Sequence, residues 1–594
     1  MTIGIVEGSL GFGSFGPGGV NGSGDGSVGM CPSIPARGGM QPVPWGPMRS
    51  AWRVPAGLGS HDRSVLPPGR DWWRAAVGYE IYIRSFLDTT GEGIGDLMGI
   101  TQRLDYLDAL GIDVIWITPF YPSPGKDQGY DVSDYVDVDP GFGTLDDFDR
   151  LIAAATERGI RVLVDIVPNH SSDQHRWFQE AIADVNSPYR QYYLFRPPGP
   201  DGGPPNNWVS HFGGPAWTLD PAGTGEYYCH LFLPEQPDLN WANPAVADEF
   251  RQILTFWCER GVDGFRVDVA HGLTKDPEFR DNEQLRPVTR DMHPREVFSS
   301  FLHVHDLHRP ETTAIFRDWR EIVAPYDAVL IGEIDVRNVE VFNEYVSGTG
   351  LDAGFVLKLA ATRWEPATVI ADLTTYEHVA NGGAAWTLSN HDQPRAVSRF
   401  GGGEHGVRRT MAVSTLMLAI DGITFFYQGE ELGLPDAVII GEAQDPVSTR
   451  NGGASGRDVA RGPMPWDSSA GNGFTASREP WLETEPMPSE LTAEAQVGRA
   501  GSTWDLYRAM IGLRKRLPQL WSKPLEIFTH TENTVVAFRG NVTVIANFDD
   551  VPFEFVPEGT FQVEFESHVG ASGRDGGVLR VHAESTVVIS RRDD

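Results

Sequence analysis

Short apolar runs alternate with amphipathic stretches along most of the chain, starting near residue 72. Runs that are apolar on both faces are typical of buried parallel strands, and a period of about 3.6 residues indicates a helix. Helical periods lie, for example, at Gly99 to Leu110 and at Leu145 to Arg158. The predicted strands lie at 79–84, 113–118, 161–167, 262–268, 328–333, 352–357, 385–390 and 423–427.

Eight strands that alternate with helices over about 450 residues predict an α/β protein with a (β/α)₈ TIM barrel. We assign this barrel to residues 71–170 and 244–515 because the alternation stops between them. Residues 171–243 are rich in Pro, Gly, Trp and Tyr without a helical period, which predicts a small inserted domain. A second long irregular loop is expected from Leu434 to about Glu490.

The two ends of the chain differ from the middle. Residues 516–594 carry short strands and turn residues without helices between them, which predicts an antiparallel β domain. Residues 1–70 are rich in Gly, Pro and Ser and are predicted to be a disordered extension. Gly11 to Gly16 matches GxGxxG, but no strand precedes it and no helix follows, so a dinucleotide site is not expected.

The charge balance narrows the classes of partner. The chain of 594 residues has a formal charge of −33 and a pI of about 4.8, which excludes nucleic acid and anionic membranes as expected partners. The cysteines Cys31, Cys229 and Cys258 are far apart, so we expect no disulfide framework and a reducing compartment. Without an apolar run of membrane length or a secretory signal pattern, the expected location is cytoplasmic.

Polar residues stand at the ends of four predicted strands. The carboxyl ends of barrel strands meet on one rim, so these residues are expected to converge. Two carboxylates whose pKa values are pushed apart are what glycoside cleavage requires. Each carboxylate alone would be explained by a helix cap or an ion pair, but the convergence of all of them favours a catalytic site. The converging residues are Asp165, Asn169, His170, Arg266, Asp268, Glu333, Asn390, His391 and Asp392.

Four stretches, DIVPNH, GFRVDVA, GEI and SNHD, resemble the signature regions of the α-amylase family of glycoside hydrolases. The resemblance covers roughly residues 72–594. Gln236–Asn240, Gly129–Tyr135 and Gly456-Arg457-Asp458 are similar to markers of its oligo-1,6-glucosidase and α-glucosidase branch. The resemblance implies a barrel, an inserted B domain and a C-terminal β-sandwich.

By this resemblance Asp268 is the nucleophile, Glu333 the general acid/base and Asp392 a third carboxylate that holds sugar hydroxyls in the transition state. The residues themselves agree: Arg266, two positions before Asp268, is expected to keep Asp268 ionised. Glu333 follows an apolar strand, as expected for an acid that stays protonated. Asp131 and Arg457 are expected to close the pocket and favour exo-cleavage. The residues expected to bind substrate are Tyr130, Asp131, His170, Arg266, His391 and Arg457.

The reaction is expected to need no cofactor, but a structural calcium or magnesium ion is an open expectation. The residues Asp88, Thr90, Glu92, Ile94 and Asp96 look like the metal loop of this branch. The family usually has Asn and Asp where this chain has Thr90 and Glu92. Thr is a poorer ligand for a hard cation, and Glu is longer than Asp.

The sequence therefore predicts a retaining, exo-acting α-glucosidase for short neutral oligosaccharides, as a monomer or small homo-oligomer. Val269 stands where family members that cleave α-1,6 bonds tend to have Val, so both α-1,4 and α-1,6 cleavage stay open. A transglycosylase or a maltose/trehalose isomerase of the same family is an alternative. A non-catalytic binding subunit is another, although it would not need an intact acid/nucleophile pair.

Two further groups of residues resemble sites without the expected support. His303, His305, His308 and Asp306 are predicted to lie on a helix, where residues two apart do not face the same way, which disfavours a metal site. Cys258 lies in a helical period and is expected to be a buried hydrophobe. The tryptophans expected to serve in packing are Trp72, Trp73, Trp116, Trp241 and Trp257.

Overall fold

A computed structural model gives the fold of this protein. It describes residues 53–55, 58, 63–64, 66–335, 339–348, 350–380, 382–451, 456–477 and 479–592. The predicted disordered extension at 1–70, with its GxGxxG match, lies largely outside the described residues.

Eight parallel strands form a closed barrel, as predicted. Each strand pairs with the next one in sequence, and the last closes the barrel on the first. The chain folds this way because the strands are apolar and buried on both faces. The strands are β1 (Val77–Ile81), β2 (Val114–Ile117), β3 (Arg161–Ile166), β4 (Gly264–Val267), β5 (Val329–Glu333), β6 (Ala353–Phe355), β7 (Ala384–Thr387) and β8 (Ile423–Tyr427).

Helices surround the barrel. The predicted helix from Gly99 to Leu110 is two helices, because Arg103 leaves helical geometry at φ −106° and ψ 6°. The longer helices are Leu97–Gln102, Leu104–Leu110, Leu145–Glu157, Arg176–Ala183, Pro244–Glu259, Thr312–Val323, Val339–Val346, Pro366–Ala380, Gly403–Met417 and Thr503–Arg516. Shorter helices are Pro294–Phe298, Leu357–Ala361, Ala396–Arg399, Pro446–Arg450, Ala493–Gln496 and Gln519–Ser522.

The barrel interior is filled by side chains, among them Trp116, Leu163, Ile331 and Phe425. The five tryptophans assigned to packing are all buried, as is Cys258 in the helix Pro244–Glu259. Among the described residues, no helix is both long enough and apolar enough to cross a bilayer.

The segment after β3 carries a three-stranded antiparallel sheet of Phe195–Arg196, Trp217–Leu219 and Tyr227–Cys229. Backbone pairing of His170 with Asp238 joins the two ends of this segment where it leaves and rejoins the barrel. A two-stranded hairpin, Glu283–Gln284 with Phe301–Leu302, follows β4.

The C-terminal part consists of two antiparallel sheets with a shared apolar cluster that includes Ile545, Leu579 and Val587. This is the predicted β domain. One sheet contains Glu526–Thr531, Thr534–Arg539, Val542–Asn547, Ser585–Arg591 and Phe561–Glu566, and the other contains Phe553–Phe555, Val578–Val581 and Ser572–Asp575.

Candidate active site

Arg266 on β4 is the centre of the cluster at the barrel rim. Its backbone pairs with Asp165 on β3, so both side chains reach the same end of the barrel. Nη1 donates to Asp165 Oδ1 at 2.9 Å and to Asp268 Oδ1 at 2.7 Å, and Nη2 lies 2.9 Å from Glu333 Oε2. Asp268 and Glu333 thus contact the two terminal nitrogens of one guanidinium group.

The pKa of Asp268 departs from the simple sequence expectation. Burial raises it well above the usual aspartate value, the charges of Glu333 and Asp165 raise it further, and Arg266 acts in the opposite direction. The sequence-based expectation considered only Arg266. The single charge of this guanidinium is shared by Asp165, Asp268 and Glu333. Burial and the two neighbouring carboxylates thus oppose ionisation of Asp268, and Arg266 favours it.

Glu333 is also oriented by the backbone directly after Asp268. The Val269 N–H donates to Glu333 Oε2 at 2.9 Å. Val269 has a φ of +43°, a conformation that β-branched residues rarely adopt. Such strained residues cluster at functional sites, and here the conformation directs an amide at the second carboxylate.

Asp392, after β7, lies against two arginines. Its Oδ1 is 2.8 Å from Arg461 Nη2 and 3.3 Å from Arg457 Nη1. Burial acts to raise its pKa, but His391 and the two arginines hold the pKa well below the usual range. The two arginines thus favour the ionised form of this third carboxylate. Arg461 was not among the predicted residues, because the recognised motif ends three positions before it.

Arg457 pairs with Asp127, and not with Asp131 as predicted. Arg457 Nη2 lies 2.6 Å from Asp127 Oδ1 and 2.9 Å from Asp445 Oδ1. The Asp131 carboxylate is fully buried and accepts the N–H groups of Lys126 and Asp127 at 2.8 and 2.9 Å, within its own loop. Asp131 therefore shapes the loop and does not reach Arg457.

The remaining predicted residues do converge on the site. His170 Nε2 lies 3.0 Å from the amide nitrogen of Gln236, at the end of the inserted segment. The Tyr130 hydroxyl donates to Asp165 Oδ2 at 3.0 Å and lies 2.8 Å from His391 Nε2. Burial lowers the pKa of both histidines, that of His391 to about 3.

The loop from Asp88 to Asp96 does not fit a hard cation. Asp88 accepts the backbone N–H groups of Thr90, Gly91 and Gly93 at 2.7–2.9 Å, together with the Thr475 hydroxyl. Asp96 accepts from Thr89 and Gly99 and caps the helix Leu97–Gln102. Both carboxylates are thus already supplied with hydrogen-bond donors. Glu92 is exposed, and Ile94 offers only its backbone carbonyl.

The histidines around residue 305 lie in a loop after Leu302, not on a helix as predicted. His303 Nδ1 lies 2.8 Å from Asp306, and His305 Nδ1 lies 3.1 Å from Asp276. These are separate pairs. In the described part of the chain, no group of three or more His, Cys, Asp or Glu side chains could hold a metal ion.

Known proteins are similar to this chain over the region that carries the site. Residues 80–522 match the family model for the catalytic domain of α-amylase. The chain is similar to a "probable alpha-glucosidase" of Rhizobium meliloti (strain 1021), with 41% identity over 82% of this chain and 90% of the relative. It is also similar to a trehalose-6-phosphate hydrolase of Escherichia coli (strain K12), with 39% identity over 75% of this chain and 84% of that one.

Among solved structures, the chain is similar to the crystal structure of an α-glucosyl transfer enzyme. The TM-score is 0.80 at 37% identity, with 88% of this chain and 99% of the other covered. The similarity thus extends over the barrel, the inserted segment and the C-terminal sheets.

Proposed function

The chain belongs to the α-amylase family of glycoside hydrolases, and on that premise we propose that it is a retaining, exo-acting α-glucosidase for short oligosaccharides. The observation that carries the proposal is the contact of Arg266 with both Asp268 and Glu333, beside the ionised Asp392. Two carboxyl groups at short range, one as nucleophile and the other as acid/base, are the arrangement of a retaining glycosidase.

In the first step, Asp268 attacks the anomeric carbon while Glu333 donates its proton to the leaving glycosidic oxygen. The C–O bond of the substrate breaks as an ester bond to Asp268 forms, which gives a covalent glucosyl-enzyme. In the second step, Glu333 takes a proton from water, and the resulting oxygen nucleophile displaces Asp268. Asp392 accepts hydrogen bonds from sugar hydroxyls, because its paired arginines keep it ionised.

The Arg457–Asp127 ion pair supports exo action. Arg457 is 9% exposed and ties the loop after β2 to the long loop after β8, and the ring of Phe212 covers its guanidinium at 5.2 Å. His170 and Gln236 lie on the side of the inserted segment. A pocket closed in this way accepts a chain end and not the middle of a polymer.

Separate observations bear on the acceptor and on the linkage. Val269 favours α-1,6 cleavage alongside α-1,4 cleavage. The likeness to an α-glucosyl transfer enzyme supports transfer to a second sugar as the alternative, since both reactions share the glucosyl-enzyme. The likeness to a trehalose-6-phosphate hydrolase adds a phosphorylated disaccharide to the substrates to be tried. We propose a cytoplasmic location, supported by the free, buried Cys229 and Cys258.

A proton NMR time course with maltose and isomaltose in one tube tests the proposal. We expect loss of both sugars, with α-glucose appearing before mutarotation, and no loss with the Asp268→Asn variant. Trehalose or longer oligosaccharides as products would establish the isomerase or transferase alternative. If neither sugar changes, the same experiment is repeated with trehalose 6-phosphate and sucrose. Initial release of β-glucose, or an Asp268→Asn variant within tenfold of the wild type, would contradict the mechanism.

A further inference from the structure

Glu80, near the end of β1, is a buried carboxyl that no step of cleavage uses. It is 1% exposed, and its Oε1 lies 2.5 Å from Nδ1 of His391, which is equally buried. The same oxygen also accepts the backbone N–H of His391 at 3.3 Å. Its second oxygen, Oε2, has no hydrogen-bond partner among the residues that the structure describes. Burying a carboxyl group this deeply costs free energy unless the group is neutral or has a hydrogen-bond partner.

The His391 ring is fixed in orientation. Tyr82 stacks on it with ring centroids 5.6 Å apart, Tyr130 stacks with centroids 5.4 Å apart, and the Trp116 ring meets it edge-on at 6.0 Å. Its Nε2 lies 2.8 Å from the Tyr130 hydroxyl oxygen and 3.4 Å from Asp392 Oδ2. The two ring nitrogens therefore have distinct partners, and those partners determine which nitrogen carries hydrogen.

The hydrogen bonds of Asp165 and Tyr130 indicate whether Nε2 of His391 carries a hydrogen. Asp165 accepts from Arg266 at 2.9 Å, from Trp116 Nε1 at 3.2 Å and from the Tyr130 hydroxyl at 3.0 Å. An ionised carboxylate can accept all three hydrogen bonds, and the Arg266 guanidinium beside it favours that form. The Tyr130 proton is thus used on Asp165, and the Tyr130 oxygen is an acceptor toward His391. Nε2 must then carry a hydrogen.

We propose that Glu80 is a positioning residue whose carboxyl shares a single proton with His391, which leaves His391 an Nε2–H donor facing Tyr130 and Asp392. The proton lies on Oε1, with both groups neutral, or on Nδ1, as an ion pair. The net charge of the pair is zero in both arrangements.

Burial favours the neutral arrangement. Burial raises the pKa of Glu80 well above its usual value and lowers that of His391 to about 3. The charged groups that face the pair are Arg266, Asp165, Asp392, Arg457 and Arg461.

The shared proton matters for the sugar because of what the pair would do if it lost one proton. An ionised Glu80 with hydrogen only on Nδ1 would turn a bare Nε2 lone pair toward the Tyr130 oxygen and the Asp392 carboxylate. That repulsion would displace two groups predicted to hold the glucose. The inference rests on the proposed reaction for its effect on turnover, but the position of the proton can be tested without turnover.

The kinetic test uses two variants of similar volume. Glu80→Leu removes the partner of Nδ1, and we expect kcat/KM to fall about a hundredfold, with kcat and KM both affected, as for a small misplacement of a binding group. Glu80→Gln can donate its amide N–H to Nδ1, and we expect it to recover most of that loss. Glu431→Gln is the matched control, since this buried carboxyl contacts Tyr79 and Tyr106 outside the site. It should lower the melting temperature but keep kcat/KM.

The direct test is the ¹⁵N NMR signals of histidine-labelled enzyme, with His391 assigned by comparison with His391→Asn. We expect a protonated Nε2 in the wild type and in Glu80→Gln near neutral pH. A bare Nε2 would overturn the proposal, as would a folded Glu80→Leu variant with wild-type kcat/KM. If Glu80→Leu does not fold, the Glu80→Gln variant and the NMR signals still decide. A protonated Nε2 in an enzyme that cleaves no glucoside would refute the proposed function and keep this inference.

Discussion

Asp268 must lose its proton before it can attack a sugar, and its surroundings oppose that loss. It is 5% exposed and close to both Glu333 and Asp165, and only the shared Arg266 favours ionisation. The pH dependence of kcat/KM reports the ionisation of the free enzyme, so the acidic limb of the profile should report this group.

We expect that limb to lie clearly above the ordinary aspartate pKa of about 3.9, because the nucleophile acts deprotonated and its pKa is raised. Activity is therefore lost as the pH falls through the raised pKa and is retained above it. The measurement is kcat/KM across the acidic range with an aryl α-glucoside, whose leaving group needs no proton from Glu333. A limb near the ordinary aspartate value would show that Arg266 outweighs burial.

At the residue scale, the sequence could name the loop that closes the pocket but could not choose between its two aspartates. Asp127 and Asp131 are four positions apart, on either side of Gly129, whose φ of +114° turns the chain. Only the path of the backbone decides which carboxylate faces Arg457. Glu80 was not predicted for a similar reason. The sequence of a strand does not show which distant residue a single carboxylate contacts.

The two aspartates should respond differently to the same substitution. Asp127→Asn weakens the ion pair that closes the pocket, so we expect KM to rise at least about tenfold, as when one hydrogen bond to a charged group is lost. Asp131→Asn should keep kcat/KM and lower the free energy of unfolding by about 1–3 kcal/mol, since it disturbs a buried, hydrogen-bonded carboxylate. Steady-state kinetics and thermal melting of both variants check this. Equal effects on KM would contradict the assignment.

At the element scale, the barrel strands were predictable because burial on both faces leaves a continuous apolar run. The predicted and observed strands overlap at all eight positions. In the C-terminal domain, the sequences of Ser572–Asp575 and Glu526–Thr531, SGRD and EIFTHT, lack strand-like alternation. They pair because an apolar neighbour, Val578–Val581 or Thr534–Arg539, supplies the register. The predicted helix at Gly99–Leu110 is two helices because the backbone leaves helical geometry at Arg103. The hydrophobic period of the sequence does not show this break.

The loop Asp88–Asp96 gives a prediction at this scale. Because N–H and O–H donors already supply both of its carboxylates, we expect EDTA to leave the melting temperature unchanged. The Thr475→Val variant should instead lower it, since it removes the hydroxyl that donates to Asp88. Melting curves with EDTA, calcium and magnesium test both expectations. A fall with EDTA that calcium or magnesium reverses would show that the loop holds a structural cation after all.

At the scale of the whole molecule, the C-terminal domain is joined to the barrel by specific contacts. The Thr586 hydroxyl donates to the Ala412 carbonyl at 2.7 Å, and Arg539 Nη2 lies 2.5 Å from Asp421. The order of the domains could be read from the sequence, because each has its own hydrophobic period. The contacts between the domains could not be predicted from the sequence, because they join residues more than a hundred positions apart.

Glu584 is the central contact of this junction. It is 8% exposed, its Oε1 lies 2.5 Å from Arg409 Nη2, and its Oε2 contacts Arg408 on the same helix, Gly403–Met417. Removing its charge leaves two guanidinium groups facing a neutral amide. We expect Glu584→Gln to lower the free energy of unfolding by about 1–3 kcal/mol, as for hydrogen bonds to charged groups.

The matched control is Glu554→Gln, which removes an equal charge from the same domain. Glu554 pairs with Arg580 on the surface, where both side chains are more than half exposed. Surface pairs of this kind contribute little, so this variant should unfold like the wild type. Because both substitutions change the net charge of −33 by the same amount, a difference between them cannot come from general repulsion. Equal melting temperatures for the two variants would show that Glu584 does not hold the domains together. A lower melting temperature for Glu584→Gln with unchanged kcat would place the effect at the junction.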